Sequence, residues 1–217
     1  MFPDLTRDDV YRIETARLWL RWPRANDAVA VQAFAGVKIV AEQTASWKHP
    51  LPPGEAERRL FAMRKLNATG QALVLALALK QRPMEAIGLI GGHADTEGAL
   101  DLGYMLAAEQ HGRGLMTEAM QGFIDAIFSY TEFREVRAEA RVTNPASRRV
   151  LEKCGFGYEG AGMRDLKARG GLFPVDRFHL TRPTWESLKR WRAPVVTLDR
   201  GQRQERNASP DRQAAPC

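Results

Sequence analysis

Two short stretches of this chain carry residue types and spacings that suggest chemistry. The first is Gln110-His111-Gly112-Arg113-Gly114-Leu115-Met116-Thr117-Glu118-Ala119. It follows a strand-like run, Leu102 to Ala107, and opens a helix-like one, Leu115 to Tyr130. Backbone N–H groups at a helix start have no intrahelical partner, and the helix dipole adds partial positive charge there. A strand, a turn with two glycines and a long helix therefore make a place to hold phosphate. Gly112 and Gly114 allow close approach and positive φ, and Arg113 adds a cation. The stretch is neither the dinucleotide fingerprint, which needs a third glycine, nor a P-loop, which needs Gly-Lys-Ser/Thr. On its own it reads equally as a plain glycine-rich connection.

The second stretch runs from Val142 to Phe156. Asn144 fits an N-cap, Pro145 the first helical position and Gly155 the residue just past the end, so a short helix is predicted from Pro145 to Cys154. Ser147, Val150, Leu151 and Cys154 are spaced to share one face, with Ser147 at its edge. Arg148, Arg149, Glu152 and Lys153 fall on the other.

Together the two stretches resemble the GCN5-related N-acetyltransferase (GNAT) superfamily, and within it the ribosomal-protein N-terminal acetyltransferase-like branch. The residues that carry the resemblance are Gly103-Tyr104-Met105-Leu106, then Gly112-Arg113-Gly114-Leu115-Met116-Thr117-Glu118-Ala119, then Asn144 to Phe156. It extends from about Ile13 to Arg182. It implies an α+β GNAT fold, with a mostly antiparallel twisted central sheet, helices on both faces and a splayed strand pair that admits the arm of acetyl-CoA. The implied activity is transfer of an acetyl group to a primary amine, either a protein N-terminal α-amine, such as that of a ribosomal protein, or a small-molecule amine. The alternative is a non-catalytic acyl-CoA sensor or partner-binding module.

On this resemblance, backbone groups of Met105, Leu106 and Ala107 hold the pantetheine arm, and an N–H near Met105 or Leu106 meets the developing oxyanion. The N–H groups from His111 through Gly112, Arg113, Gly114 and Leu115 to Met116, with Thr117 beside them, hold the pyrophosphate, and Arg113 lies close by. Asn144 either bonds the pantetheine or organises the helix start. Glu159 is the implied base and Ser147 the group facing the leaving thiol, with Tyr158 a second candidate donor. Many members carry a tyrosine four residues after Ser147; here that position is Leu151. His111 and Ala108 also depart from the usual pattern. The acceptor pocket is expected between the first two helices and the last hairpin, lined by Trp47, His49 and Asp176. Acetyl-CoA is the co-substrate, and no metal is implied.

Composition sets outer limits. At 217 residues, 44% hydrophobic, the chain suits one globular domain with tails. The domain is expected over residues 12–182, a short helix over 183–192 and a disordered tail over 193–217. No apolar run reaches the roughly 20 residues a membrane span needs, and no signal peptide is evident. The two cysteines, Cys154 and Cys217, suit a reducing cytoplasm rather than a disulfide framework. The net charge of +6 fits an anionic partner such as coenzyme phosphates. The basic residues are interspersed, which argues against direct nucleic-acid binding. A monomer or homodimer is expected.

The elements that must position these residues follow from periodicity. Strands are predicted at Ala16–Trp22 (Leu18 and Leu20 inward, Arg17, Trp19 and Arg21 outward), Ala72–Leu79, Ala86–Gly92, Asp101–Ala107, Glu135–Val142, about 157–167 and 173–180. Helices are predicted from Asn26-Asp27 to Ala35, from Pro53-Gly54-Glu55 to Asn67 with Leu60, Met63 and Leu66 as its apolar stripe and Phe61 beside it, and from Leu115 to Tyr130. In the last of these, Glu118, Gln121, Asp125 and Ser129 make a polar stripe.

Overall fold

A computed structural model describes residues 11–95, 98–191 and 197–198. Among these residues nine strands form one sheet: β1 (Arg12–Glu14), β2 (Leu18–Arg21), β3 (Ala72–Leu79), β4 (Ala86–Ala94), β5 (Ala99–Leu106), β6 (Glu135–Arg141), β7 (Gly157–Leu166), β8 (Gly171–Thr181) and β9 (Thr197–Leu198). The helices are α1 (Asp27–Ala35), α2 (Lys38–Ala41), α3 (Glu55–Ala68), α4 (Leu115–Tyr130), α5 (Pro145–Lys153) and α6 (Arg182–Lys189). The strand order is β7-β8-β6-β5-β4-β3-β2-β1-β9. Neighbours are antiparallel except β5 and β6, which are parallel.

The central strands are apolar on both faces because both faces are covered. One core includes Leu73, Leu75 and Leu77 of β3, Phe123 and Ile127 of α4, Leu151 of α5 and Trp185 of α6. The other includes Ala76, Leu89 and Met105 with Val31 and Phe34 of α1 and Leu60 of α3. α6 belongs to the packed domain: Trp185 is buried, packs at a tilt on Phe128 with centroids 5.2 Å apart, and donates from Nε1 to Asp125 at 2.6 Å. Of the expected tail, only 197–198 are described, and they pair with β1; the rest lies outside the described residues. Among the described residues, no helix is long and apolar enough to cross a membrane.

Three local expectations change. Arg21 is buried, not wet, because Nη1 and Nη2 each donate to Asp27 at 2.8 Å and Nε donates to the Pro83 carbonyl. A buried guanidinium is tolerated only when paired in this way. On α3, Leu60 is buried but Phe61 and Leu66 are exposed; Ala56 and Asn67 complete the buried face instead. Glu118 leaves the solvated stripe, for reasons given below.

Candidate active site

β5 and β6 are in register only from Ala99↔Glu135 to Leu102↔Ala138. Beyond that, β6 continues against β8, while Gly103 to Leu106 have no β6 residue opposite them. The Ala107 N–H donates to the Ile87 carbonyl at 2.8 Å. A Cβ added to Gly88 would lie 2.6 Å from the Met105 carbonyl oxygen. Met105 and Ala107 thus point their backbone groups at β4. Alternation along an extended strand turns those of Tyr104 and Leu106 toward the gap. Of the two expected oxyanion donors, the gap faces the Leu106 N–H; Met105 serves the sheet.

A cleft of about 1630 Å³ passes through this gap. Its lining comes from both layers: Tyr104, Leu106, Ser147 and Val150 on the α4/α5 side, Trp47, Val74, Met105 and Glu159 on the other. A cleft through a sheet lets two reactants enter from opposite faces and meet in the middle.

At one end stands the glycine loop. Gly112 and Gly114 have φ of +75° and +73°, conformations that a side chain strains. Gly114 is the N-cap of α4 and supplies no side-chain cap, so the first N–H groups of the helix face the cleft end. The His111 N–H does not join them: it donates to the Ala108 carbonyl, closing a 3-10 turn at Ala108–Gln110. Its ring Nε2 lies 2.9 Å from the Leu106 carbonyl. The Arg113 side chain turns to Gln110 Oε1 and does not line the cleft. Arg149 and Lys153, four apart on α5, do line it. Their spacing was visible in the sequence, but the side of α5 that meets the cleft was not.

Behind the loop, Glu118 is 9% exposed and accepts three hydrogen bonds. They come from Thr15 Oγ1 (2.6 Å), the Arg17 N–H (2.7 Å) and Arg17 Nε (2.6 Å). Burial pushes its pKa up, but the bonds from Thr15 and Arg17 and the Arg17 charge prevail, holding the carboxyl below the usual range. Arg17 Nη1 also donates to the Arg113 carbonyl at 3.0 Å, so the β1–β2 turn clamps the glycine loop.

At the centre, Asn144 Oδ1 accepts the Ser147 N–H at 3.1 Å, so Asn144 organises the helix start. Ser147 is buried, and its Oγ lies 2.7 Å from the Tyr104 hydroxyl. Burial drives the Tyr104 phenol well above the ordinary tyrosine range; the Ser147 hydrogen bond opposes this and Cys154 adds to it.

On the opposite wall, β7 and β8 shift register between Tyr158 and Gly160. An irregularity of this kind re-aims a side chain. Here Glu159, an exposed residue, lines the cleft, while Tyr158 does not. Tyr158 lies on the other face, edge-on to Phe178 at 5.7 Å and under Arg148. Asp176 is likewise on the α5 face, 3.6 Å from Arg148 Nη1, and does not line the cleft. His49 is a loop residue: Nδ1 meets the Gly36 carbonyl at 2.7 Å, and the ring stays out of the cleft. Trp47 does line it, buried, with Arg59 4.5 Å from its ring centre. The sequence reading missed Arg137, Glu139, Arg164 and Arg177, which complete this wall. Glu139 is held by Arg164 Nη1 at 2.8 Å and Arg177 Nε at 3.5 Å.

Residues 17–157 match the acetyltransferase (GNAT) domain family. The chain belongs to the GNAT acetyltransferases. Its α+β sheet with one splayed pair is the GNAT fold. The relative named "Uncharacterized N-acetyltransferase p20" from Bacillus licheniformis is 30% identical over 131 residues, 59% of this chain and 72% of p20. YjcK of Bacillus subtilis, named as a probable N-acetyltransferase, is 34% identical over 87 residues, 39% of this chain and 48% of YjcK. The match thus spans about half the length of YjcK. The structure of RimL, the ribosomal L7/L12 α-N-protein acetyltransferase in complex with coenzyme A, superimposes with a TM-score of 0.67 at 19% identity. That match covers 77% of this chain and 95% of RimL, and at this identity it speaks to the fold.

Proposed function

We propose that this GNAT chain transfers the acetyl group of acetyl-CoA to a primary amine at the β5–β6 gap, with residues 12–182 as the working unit and α6 docked on it. The observation that carries the proposal is a continuous cleft through the sheet. It joins the glycine loop, Ser147 and Glu159.

The N–H groups at the start of α4 and the cations Arg149 and Lys153 suit coenzyme phosphates. The β5 edge at Tyr104 and the Leu106 N–H suits the amides of pantetheine, and the Leu106 N–H suits the thioester oxyanion. Acetyl-CoA, when bound, supplies an activated acetyl group and a thiolate leaving group. Glu159 enters from the opposite wall to take the proton of the attacking amine, directly or through water. An α-amine, with a pKa of about 7.7–8.0 against about 10.4 for lysine, is the easier acceptor for a carboxylate base. The acceptor wall combines Trp47, Met63 and Val74 with five charged side chains of β6, β7 and β8. This mixture suits a peptide N-terminus, which brings apolar and polar groups together. RimL, by its name, acts on such a terminus.

The test is thiol release from acetyl-CoA by the full chain against hexapeptides beginning with Ser, Ala or Met, and against spermidine. Turnover with at least one peptide is the expected result. Calorimetric binding of acetyl-CoA without turnover on any amine overturns the enzyme reading in favour of an acyl-CoA-binding module.

A further inference from the structure

Leu151, four residues after Ser147 on α5, is fully buried in the core. No phenol reaches the cleft from α5. One reaches it from the sheet: Tyr104 of β5 lines the cleft, and its hydroxyl lies 2.7 Å from Ser147 Oγ and 3.3 Å from the Ser147 carbonyl oxygen.

Each of these two hydroxyls has one proton to give. A phenol is the stronger acid and the better donor of the pair. The 2.7 Å contact is at the preferred O–H···O length, and the 3.3 Å contact lies beyond it. The shorter contact favours giving the phenol proton to Ser147 Oγ over the carbonyl. Left alone, a serine in the first turn of a helix tends to bond its own helix backbone. With one lone pair filled by Tyr104, and with its N–H already given to Asn144, Ser147 has its own proton free to turn into the cleft. Hydroxyl chains also polarise one another, which strengthens the terminal donor.

We propose that Tyr104 is a positioning residue: it donates to Ser147 Oγ and thereby directs the serine proton at the sulfur of the departing thiolate. This rests on the acetyl-transfer reading above. In that reaction the amine nitrogen bonds to the carbonyl carbon, and the C–S bond breaks with its electron pair on sulfur. The amine proton leaves through Glu159 to solvent, and the thiolate takes a proton from solvent. Ser147 stabilises the anion by a hydrogen bond, and Tyr104 keeps its own proton throughout. Its burial, which holds the phenol protonated, fits that role.

The experiment uses the full chain as wild type, Tyr104→Phe, Ser147→Ala and the double variant. Acetyl-CoA is the donor, and the acceptors are the Ser-, Ala- and Met-initiated hexapeptides and spermidine. Tyr104→Phe is expected to lower kcat about 5- to 20-fold while the KM and calorimetric Kd for acetyl-CoA stay within about two-fold. The double variant is expected to match Ser147→Ala alone, since the phenol acts only through the serine. A thermal melt of each variant separates loss of rate from loss of fold. Unchanged kcat in Tyr104→Phe, or a loss of equal size on the Ser147→Ala background, overturns the inference and leaves the acetyltransferase reading standing. A wild type that releases no thiol with any acceptor overturns that reading, and the inference with it.

Discussion

The two walls of the cleft are built from different materials. The donor wall is mostly backbone: the β5 edge, two glycines at positive φ and the first turns of α4 and α5. Its residues fall in two continuous stretches of sequence. The acceptor wall is mostly side chains, from the loop around Trp47 and from β6, β7 and β8, brought together by long crossings of the sheet. A wall made of backbone needs particular residues at fixed local spacing. A wall made of side chains needs only a fold that brings distant residues together, and it tolerates many choices. The first material suits a constant ligand and the second a variable one.

The sharpest way to separate the walls is to remove the proposed base. Glu159→Gln is expected to lower kcat/KM for the amine about 10²- to 10³-fold. The acetyl-CoA Kd should stay within two-fold, because Glu159 faces the cleft from the acceptor side. Calorimetry and thiol release on the same preparation read both quantities. A coenzyme affinity that falls with the rate would merge the two walls and break the comparison.

The mirror experiment attacks the donor wall. Gly114→Trp places a side chain at φ +73° and at the mouth of the glycine loop. Acetyl-CoA binding is expected to weaken at least about ten-fold, with about 1–2 kcal/mol of stability lost to the left-handed backbone. Retained micromolar binding in a calorimeter would reduce the loop to a connection.

These materials also explain what could be read before folding. The glycine loop, the α4 and α5 boundaries and the Asn144 cap were legible because each is a local backbone requirement. Asn144, Pro145 and Gly155 bracket α5 without any tertiary help. His49 and Asp176 were misread because nothing local tells which face of a loop or strand meets the cleft. Asp176 lies opposite Ala140, one residue from the charged face of β6, so a single step of register sends it to Arg148 instead. Arg21 was misread for a related reason: its partner Asp27 lies across a turn, and alternation alone cannot show a buried pair. Glu159 as a base rests on the family resemblance alone, and its turn into the cleft accompanies an irregularity that the strand pattern does not announce.

A smaller effect is expected behind the donor wall, at Glu118. Its three hydrogen bonds join α4 to the β1–β2 turn, so Glu118→Gln should cost about 2–3 kcal/mol in urea unfolding at pH 7. The sign of the pH effect follows from the lowered pKa. The folded state binds the Glu118 proton less readily than the unfolded state, whose value is about 4.3. The contribution is therefore complete above that value and fades as pH falls through the folded-state pKa. The gap between wild type and variant should narrow from pH 7 to pH 3. A constant gap would mean that Thr15 and Arg17 do not hold the carboxylate form.

The smallest expected effect tests what the acceptor wall selects. Arg164 and Arg177 both lean on Glu139, so the three together carry one net positive charge. Arg164 is half exposed, and its pairing is worth little to stability, about 0–1 kcal/mol. On the proposed peptide reading, its charge in the cleft wall meets the residues after the acceptor's first. Arg164→Ala leaves Glu139 to Arg177 alone and makes the wall more negative. KM should rise about two- to five-fold for a hexapeptide with Asp at its second position and fall by a similar factor for one with Lys there. Opposite shifts for the two peptides separate a charge effect from general damage, which moves both in one direction. Equal shifts would place the peptide's path elsewhere, and the contrast would narrow to one wall that binds and one that only encloses.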